Sequence, residues 1–384
     1  MNNICEIEKC TACAACYNAC AKNAVKFICD EFAVKRAYID ENLCVDCGLC
    51  KNVCPANNRP NFSMPQKAIA AYTKDENDKK TASSGGMAST IYKKIIGDGG
   101  IGYGVTAKRD HAEFIRIESV ADVDLLKGSK YVEAEVGDVY KSVKQDLSSG
   151  KKCVFIGTPC QVAGLKNYLG KEYENFYSID FICHGVPPKE YLSEYLKNTV
   201  KNSRYDKFSF RGKNDWNLTV YDNKKIIYKK KQDEDPYFYA FLKNAIFREN
   251  CYSCPYAKAE RVSDLTIGDF WGIGKDALNG YKGKISLMLI NTEKGNVLFN
   301  EISPLITYEK RSVSEAVNGN AQLRRPSLKS PLRNDFLTAY QTRGFIYALS
   351  ATGINKKCKR NLIKNRIMFF PRKIKKIFKK LLNK

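Results

Sequence analysis

Sixteen cysteines stand in this chain of 384 residues, and ten of them lie before Asn57. Eight of the ten repeat one spacing. "CTACAACYNAC" places Cys10, Cys13, Cys16 and Cys20, and "CVDCGLCKNVCP" places Cys44, Cys47, Cys50 and Cys54. Thiolates this crowded bind soft metals. Three closely spaced thiolates wrap one face of an iron–sulfur cube, and a fourth, carried off by the next turn, reaches a second cube. Structural zinc is the alternative, but it favours two C-x2-C pairs parted by a longer loop.

The duplicated spacing is that of two-cluster ferredoxins. It assigns Cys10, Cys13, Cys16 and Cys54 to one 4Fe–4S cluster and Cys44, Cys47, Cys50 and Cys20 to the other. Small residues between the ligands, such as Ala12, Ala14 and Gly48, let backbone amides approach the sulfides. The first repeat has Ala21 where the second has Pro55. Cys5 and Cys29 fit neither set and read as small core residues.

Four further cysteines are Cys160, Cys183, Cys251 and Cys254. Cys160 and Cys183 each follow an apolar stretch that reads as a buried strand. In a parallel sheet such strand ends gather on one edge, where sites are built. With the C-x2-C pair of "RENCYSC" they supply the four thiolates of a third cluster. Thr158 caps the helix of "GTPCQVAGLKNYLG" and Pro159 suits its first turn, so Cys160 sits where a helix dipole favours a thiolate. A redox or nucleophilic thiol at Cys160, with His184 as the available base, and simple packing are the alternatives. The only other histidine is His111, too few for a His-rich zinc or copper site. Cys153 reads as core, and Cys358 has no evident partner.

The elements that must position these groups read as an α+β protein. A Pro- and Asn-rich stretch, residues 55–66, separates the N-terminal cysteines from the rest. Strands are expected in "KAIAAYT", "IGYGVTA", "EFIRIESV", "CVFIG", "FYSIDF", "DLTIGDF" and "KISLMLINT". Helices are expected in "GGMASTIYKKIIG", before and after "CVFIG", in "PPKEYLSEYLKNTV" and through "DPYFYAFLKNAIFREN". "NLTVYDNKKIIYKKK" reads as a hairpin turning at Asp222–Asn223. Beyond about residue 305 the pattern weakens.

In order along residues 67–300, "SSGG", "GSKYVEA", "GTPCQVAGLKNYL", "DFICHGVPP", "FRGKNDW", "FRENCYSCPYA", "RVSDLTIGDFWGIG" and "ISLMLINTEKG" resemble the coenzyme F₄₂₀ hydrogenase/dehydrogenase beta-subunit family, here fused to an N-terminal dicluster ferredoxin. The resemblance implies an N-terminal ferredoxin-like domain followed by an α/β flavin and iron–sulfur domain. It implies FAD, and in some members hydride exchange with coenzyme F₄₂₀; relatives reduce other substrates. The expected bounds are 1–60, 67–305, an extension at 306–355 and a tail at 356–384. Ser83, Ser84, Gly85 and Gly86, opening a helix, suit a pyrophosphate or a flavin edge, with a capped helix start as the plain alternative. Lys130 suits flavin N1 or a phosphate, and Tyr131 a stacking contact. Arg211, Lys213 and Trp216 are expected to line the pocket. Asp269 and Trp271 read equally as a structural turn.

Net charge is +23, and the stretch from Lys356 to Lys384 holds 13 of those charges with no acidic residue. Ile374, Ile377, Phe378, Leu381 and Leu382 fall on one helix face. A basic amphipathic tail points to an anionic membrane surface or an acidic partner, with a solvated tail as the alternative. The rest is only moderately basic, and no specific nucleic acid is expected. No signal peptide or membrane span is read, which suggests a cytoplasmic protein, peripheral at the membrane's inner face through the tail. The whole reads as an iron–sulfur flavoprotein oxidoreductase served by a redox partner or electron donor. The competing class is a non-catalytic electron-transfer subunit.

Overall fold

A computed structural model describes residues 2–201, 204–211 and 216–367. The N-terminal part is small. Strands β1 (Asn2–Asn3), β2 (Val25–Cys29) and β3 (Lys35–Ile39) form an antiparallel sheet in the order β1-β3-β2. Two short helices, Ala15–Ala19 and Leu49–Asn52, follow the cysteine loops and touch each other. Ala12 and Ala14 hold left-handed backbone, as does Gly48. Such turns aim successive amides into the hollow of the loop.

Strands β4 (Lys67–Thr73), β5 (Ile101–Lys108), β6 (His111–Ile117), β7 (Ala134–Glu135), β8 (Cys153–Gly157) and β9 (Phe176–Phe181) come next. Strands β10 (Lys207–Arg211), β11 (Trp216–Asp222) and β12 (Lys225–Lys231) make a separate antiparallel sheet. Then β13 (Leu265–Asp269), β14 (Ser286–Ile290) and β15 (Ile306–Arg311) rejoin the first group. The resulting nine-stranded sheet has the order β15-β4-β14-β13-β9-β8-β5-β6-β7. Pairings β5–β8, β8–β9 and β9–β13 are parallel, whereas β14 runs antiparallel to both β13 and β4. The carboxyl ends of β4, β13, β9, β8 and β5 therefore share one edge with the start of β14. The fold is α+β, as expected.

Residues of β8, "CVFIG", are all buried, which is why this strand reads as a continuous apolar run. Core layers cover both faces. Ile91, Ile95 and Leu298 pack with Val154 and Ile179, while Tyr140, Val162 and Leu165 pack with Phe155.

Several expectations need correction. Asp222 pairs with Lys225, so the hairpin turns at Asn223–Lys224, both with positive φ. The helix expected through residue 250 covers only Pro236–Leu242 and stops before Asn244, which is left-handed. Strand β15, past residue 305, is an edge of the main sheet, and a bent helix follows at Arg333–Ala351. The start of the tail is helical from 354 to 367, and it packs. Cys358 is buried, and Asn361 and Asn365 donate to Asp233 and Glu234. Ile363 and Ile367 face solvent. The face formed by Ile374 through Leu382 lies outside the described residues. Among the described residues no helix is long and apolar enough to cross a membrane.

Candidate functional site

The two N-terminal cysteine groups stand apart as two clusters of charge-coupled thiols. Cys13 and Cys16 lie within electrostatic reach of Cys10 and Cys54, and Cys50 within reach of Cys20, Cys44 and Cys47. These are the two ligand sets expected from the crossed ferredoxin spacing. Burial pushes the Cys13 thiol up to about 12, and the neighbouring thiolates push the same way. Backbone N–H groups oppose this, from Ala15 at Cys13 and from Ala56 and Asn57 at Cys54. Thiolates so crowded and so short of water need a cationic core, and iron supplies one.

Cys5 is not a plain core residue. It stands within hydrogen-bonding reach of both Cys10 and Cys54, and its thiol lowers both of theirs. Cys29 is exposed, 3.6 Å from Glu190 Oε1, which also departs from the core reading.

The third group forms at the carboxyl edge of the sheet. Pro159–Leu169 is a helix with Thr158 as N-cap, Pro159 in its first turn, and a capping box in which Thr158 N–H donates to Gln161 Oε1 at 3.0 Å. Cys160 is thereby fixed just beyond the end of β8, with Thr158 Oγ1 3.1 Å from its sulfur. Cys183 follows β9, the neighbouring strand. Cys251 and Cys254 come from the single 3₁₀ turn Glu249–Ser253 and its cap. Cys183 feels Cys251, Cys160 and Cys254. Burial raises all four thiols, Cys251 to about 12 and Cys254 to about 11, so desolvation overrides the helix dipole at Cys160. Amides of Gly185, Val186, Tyr256 and Ala257 point at these sulfurs. Among the described residues no three such side chains close on one point as ligands of a single ion would. A cube instead binds each thiolate to a different iron.

The third group adjoins the first. Cys13 packs against the helix Pro159–Leu169 at Gly164, where an added Cβ would lie 2.8 Å from Cys13 Sγ. The charges of Cys13 and Cys160 reach each other, and Tyr140 and Tyr256 are close to both.

On the other side of Cys183 lies a cleft of about 390 Å³. It is lined by Arg211, Trp216, Asp269, Trp271, Lys282 and Lys284, among others. Arg211 donates to Asp269 Oδ2 at 2.7 Å and lies 4.0 Å over the Trp216 ring. Asp269 also lies within reach of His184, beside Cys183. Tyr131 sits behind the cleft, stacked on Phe241 at 4.5 Å, with Arg211 and Ser129 at its hydroxyl. Lys130 turns elsewhere. Its ammonium donates to Leu126 O and Lys127 O, and burial pushes it down to about 7. Lys213 lies outside the described residues.

The "SSGG" loop borders the cleft through Ser84, whose hydroxyl donates to Ile285 O. Gly85 N–H donates to Ser286 Oγ, and a Cβ at Gly85 would lie 2.3 Å from Ala71 O. Gly86 opens the helix Met87–Gly97 at φ 90°. Both glycines are thus demanded by the fold itself. Ser83 Oγ is buried with no hydrogen-bond partner. Lys282, Lys284 and the buried pair Arg248–Glu133 escaped the sequence reading. Only the position of Arg248 ahead of a C-x2-C pair gave a signal.

Comparison with known proteins follows this geometry. Residues 9–58 match the 4Fe-4S dicluster domain, and residues 150–315 match the family described as the C terminus of the coenzyme F₄₂₀ hydrogenase/dehydrogenase beta subunit. Over these residues the chain is similar to the coenzyme F₄₂₀ hydrogenase/dehydrogenase beta-subunit family. Its N-terminal dicluster domain provides for two 4Fe–4S clusters, and the chain is an iron–sulfur electron-transfer protein. It is 25% identical over 317 residues to the coenzyme F₄₂₀-dependent sulfite reductase of Methanocaldococcus jannaschii, covering 79% of this chain and 47% of that protein. The chain thus spans about half the length of that relative. An uncharacterised protein of the same organism is 24% identical over 373 residues, covering 84% of this chain and 95% of its own. A chain of the F₄₂₀-reducing NiFe hydrogenase complex of Methanosarcina barkeri superposes with a TM-score of 0.43 at 15% identity, covering 70% of this chain and 97% of that one.

Proposed function

We propose that this protein is an iron–sulfur flavoprotein oxidoreductase that passes electrons between a protein carrier and a two-electron acceptor, a deazaflavin such as coenzyme F₄₂₀ or a compound of like chemistry. The observation that carries this reading is the succession of neighbouring sites from the N-terminal cysteines to the carboxyl edge of the main sheet. The outer thiols share a small core with the Cys10 set, Cys13 adjoins Cys160, and His184, beside Cys183, lies within reach of Asp269 in the cleft. In this reading Cys160, Cys183, Cys251 and Cys254 hold a third 4Fe–4S cluster and the cleft holds FAD. Bound there, FAD couples one-electron arrivals to a two-electron hydride step.

The chain's own residues supply position and charge. Trp216 and Trp271, with ring centres 6.1 Å apart, offer aromatic faces to a planar ring. Asp269 fixes the fork of Arg211. Lys282, Lys284 and the unpartnered Ser83 hydroxyl suit a pyrophosphate. At the far end Cys47 is exposed, and the exposed side chains of Leu43, Val45 and Leu49 surround its loop. A redox partner docks there in this reading. The basic tail, where it extends past 367, rests on an anionic membrane surface.

The test is anaerobic purification with iron, sulfide and flavin assays, followed by reduction of coenzyme F₄₂₀ or a dye from reduced ferredoxin. About twelve iron atoms per chain and one FAD are expected, since each cubane holds about four irons. About eight irons and no flavin, even after reconstitution with FAD, would overturn the proposal. Turnover only in the presence of a partner protein would instead identify an electron-transfer module.

A further inference from the structure

Arg248 is among the most deeply buried large side chains, and it spans the seam between the N-terminal part and the main sheet. One guanidinium nitrogen donates to Glu133 Oε1 at 2.7 Å. The other donates to Cys10 O at 3.0 Å and to Lys35 O at 2.8 Å, across the seam. Its backbone belongs to the strand-end group. Its N–H donates to Val186 O, and its carbonyl accepts from Cys251 N. Its charge is felt at Cys10, Cys160 and Cys251. The charge of Glu133 is felt instead at Cys29, outside all three sets.

A buried ion pair is a poor source of stability, because desolvation cancels most of its attraction. Its position suggests a different use. A cube held by four thiolates is anionic, and reduction adds one more negative charge. A fixed cation nearby favours the reduced form, and iron–sulfur potentials respond to charge and burial in this way. Lysine could not do the same work here. The planar fork of arginine reaches two carbonyls and a carboxylate at once and stays charged at any working pH.

We propose that Arg248 is a positioning residue that raises the reduction potential of the clusters meeting at this seam, and that Glu133 trims its effect. The part concerning Cys160, Cys183, Cys251 and Cys254 rests on the third cluster of the functional reading. The part concerning Cys10, Cys13, Cys16 and Cys54 does not.

The experiment is an anaerobic potentiometric titration of the full-length protein, followed by electron paramagnetic resonance. Glu133→Gln and Arg248→Met are each compared with wild type, with Arg248→Lys as a third variant. Glu133→Gln should raise the midpoint of the seam clusters and Arg248→Met should lower it. At fixed poise the reduced-to-oxidised ratio should change on the order of tenfold, about 59 mV for a one-electron couple. Arg248→Lys should fall between Arg248→Met and wild type. The outer cluster at Cys20, Cys44, Cys47 and Cys50 should hold its midpoint. A purely structural role predicts that both changes at the pair act in the same direction, through lost iron or broadened signals. That result, or unmoved midpoints, would overturn the proposal. Should Arg248→Met fail to fold, Glu133→Gln alone decides by its sign. Iron content distinguishes the two readings. Eight irons in wild type would remove the third cluster, while the shift at the Cys10 cluster would still be measured.

Discussion

Gly164 decides how closely the N-terminal part approaches the main sheet. It lies mid-helix, and alanine there would gain about 0.4–1 kcal/mol by stiffening the unfolded chain and improving helix propensity. Its Cβ, however, would stand 2.8 Å from Cys13 Sγ and 3.0 Å from Cys13 Cβ. Both atoms belong to a buried residue on a tight loop, so neither can swing aside. Overpacking of this kind costs about 1–3 kcal/mol. Gly97 is the internal control. It ends the helix Met87–Gly97, is exposed, and has nothing within 4 Å of its would-be Cβ. Gly97→Ala should stabilise the protein or leave it unchanged. Gly164→Ala should be less stable than Gly97→Ala by about 1–3 kcal/mol, the overpacking term alone. Urea denaturation of the anaerobic holoprotein reads this difference, and spin–spin broadening between clusters reads the widened seam. Equal stability of the two variants would show that the contact is not there, and with it would go the adjacency of Cys13 and Cys160.

Cys160→Ala should lose about four irons per chain while the N-terminal signals persist, and unchanged iron would remove Cys160 from the ligands. Asp269→Asn weakens the hold on Arg211, so FAD retention on gel filtration should fall severalfold; full retention would move the flavin elsewhere. Asp75 caps the helix Glu76–Thr81, and its carboxyl is held below the ordinary range by the Asp78 N–H and by Lys93. A depressed carboxylate contributes stability above its unfolded pKa and loses it as pH falls through the folded one. Asp75→Ala should therefore cost about 1 kcal/mol near pH 7 and progressively less below about pH 4, as followed by thermal melts. Deletion of 368–384 should abolish binding to anionic vesicles, each basic residue near the surface contributing about 1 kcal/mol, and leave iron content intact. Undiminished binding would remove the membrane from the reading.

The metal chemistry was legible because it rests on local spacing. Two identical cysteine repeats place both N-terminal sets before any tertiary contact is known. Strand ends at Gly157 and Phe181 were legible for a related reason: "CVFIG" and "FYSID" are buried on both faces, the first an unbroken apolar run and the second a mostly apolar one broken by Ser178 and Asp180. What escaped depends on packing between distant segments. No periodicity links Arg248 to Glu133, 115 residues apart, or Lys282 to Arg211. Gly85 and Gly86 looked like ligand-facing glycines, yet Ala71 and Thr73 are what forbid a side chain there. The helix expected through residue 250 failed because Ala245, Ile246 and Phe247 carry the apolar pattern of residues 237–241 past the backbone reversal at Asn244.

The exposure of the cysteines runs in a gradient, with Cys47 open to solvent and Cys13, Cys16 and Cys54 sealed. Dioxygen meets that gradient from the outside. An iron corner held by Cys47 is the first that oxidant can strip, and a cube that loses one corner loses its colour soon after. A cube held by the sealed cysteines lies behind protein and bleaches only when the molecule breathes. Exposure to air should therefore fade the brown solution in at least two phases, the fast one carrying the iron of a single cube. A preparation caught after that phase would keep its sealed cluster while its exposed one was already gone.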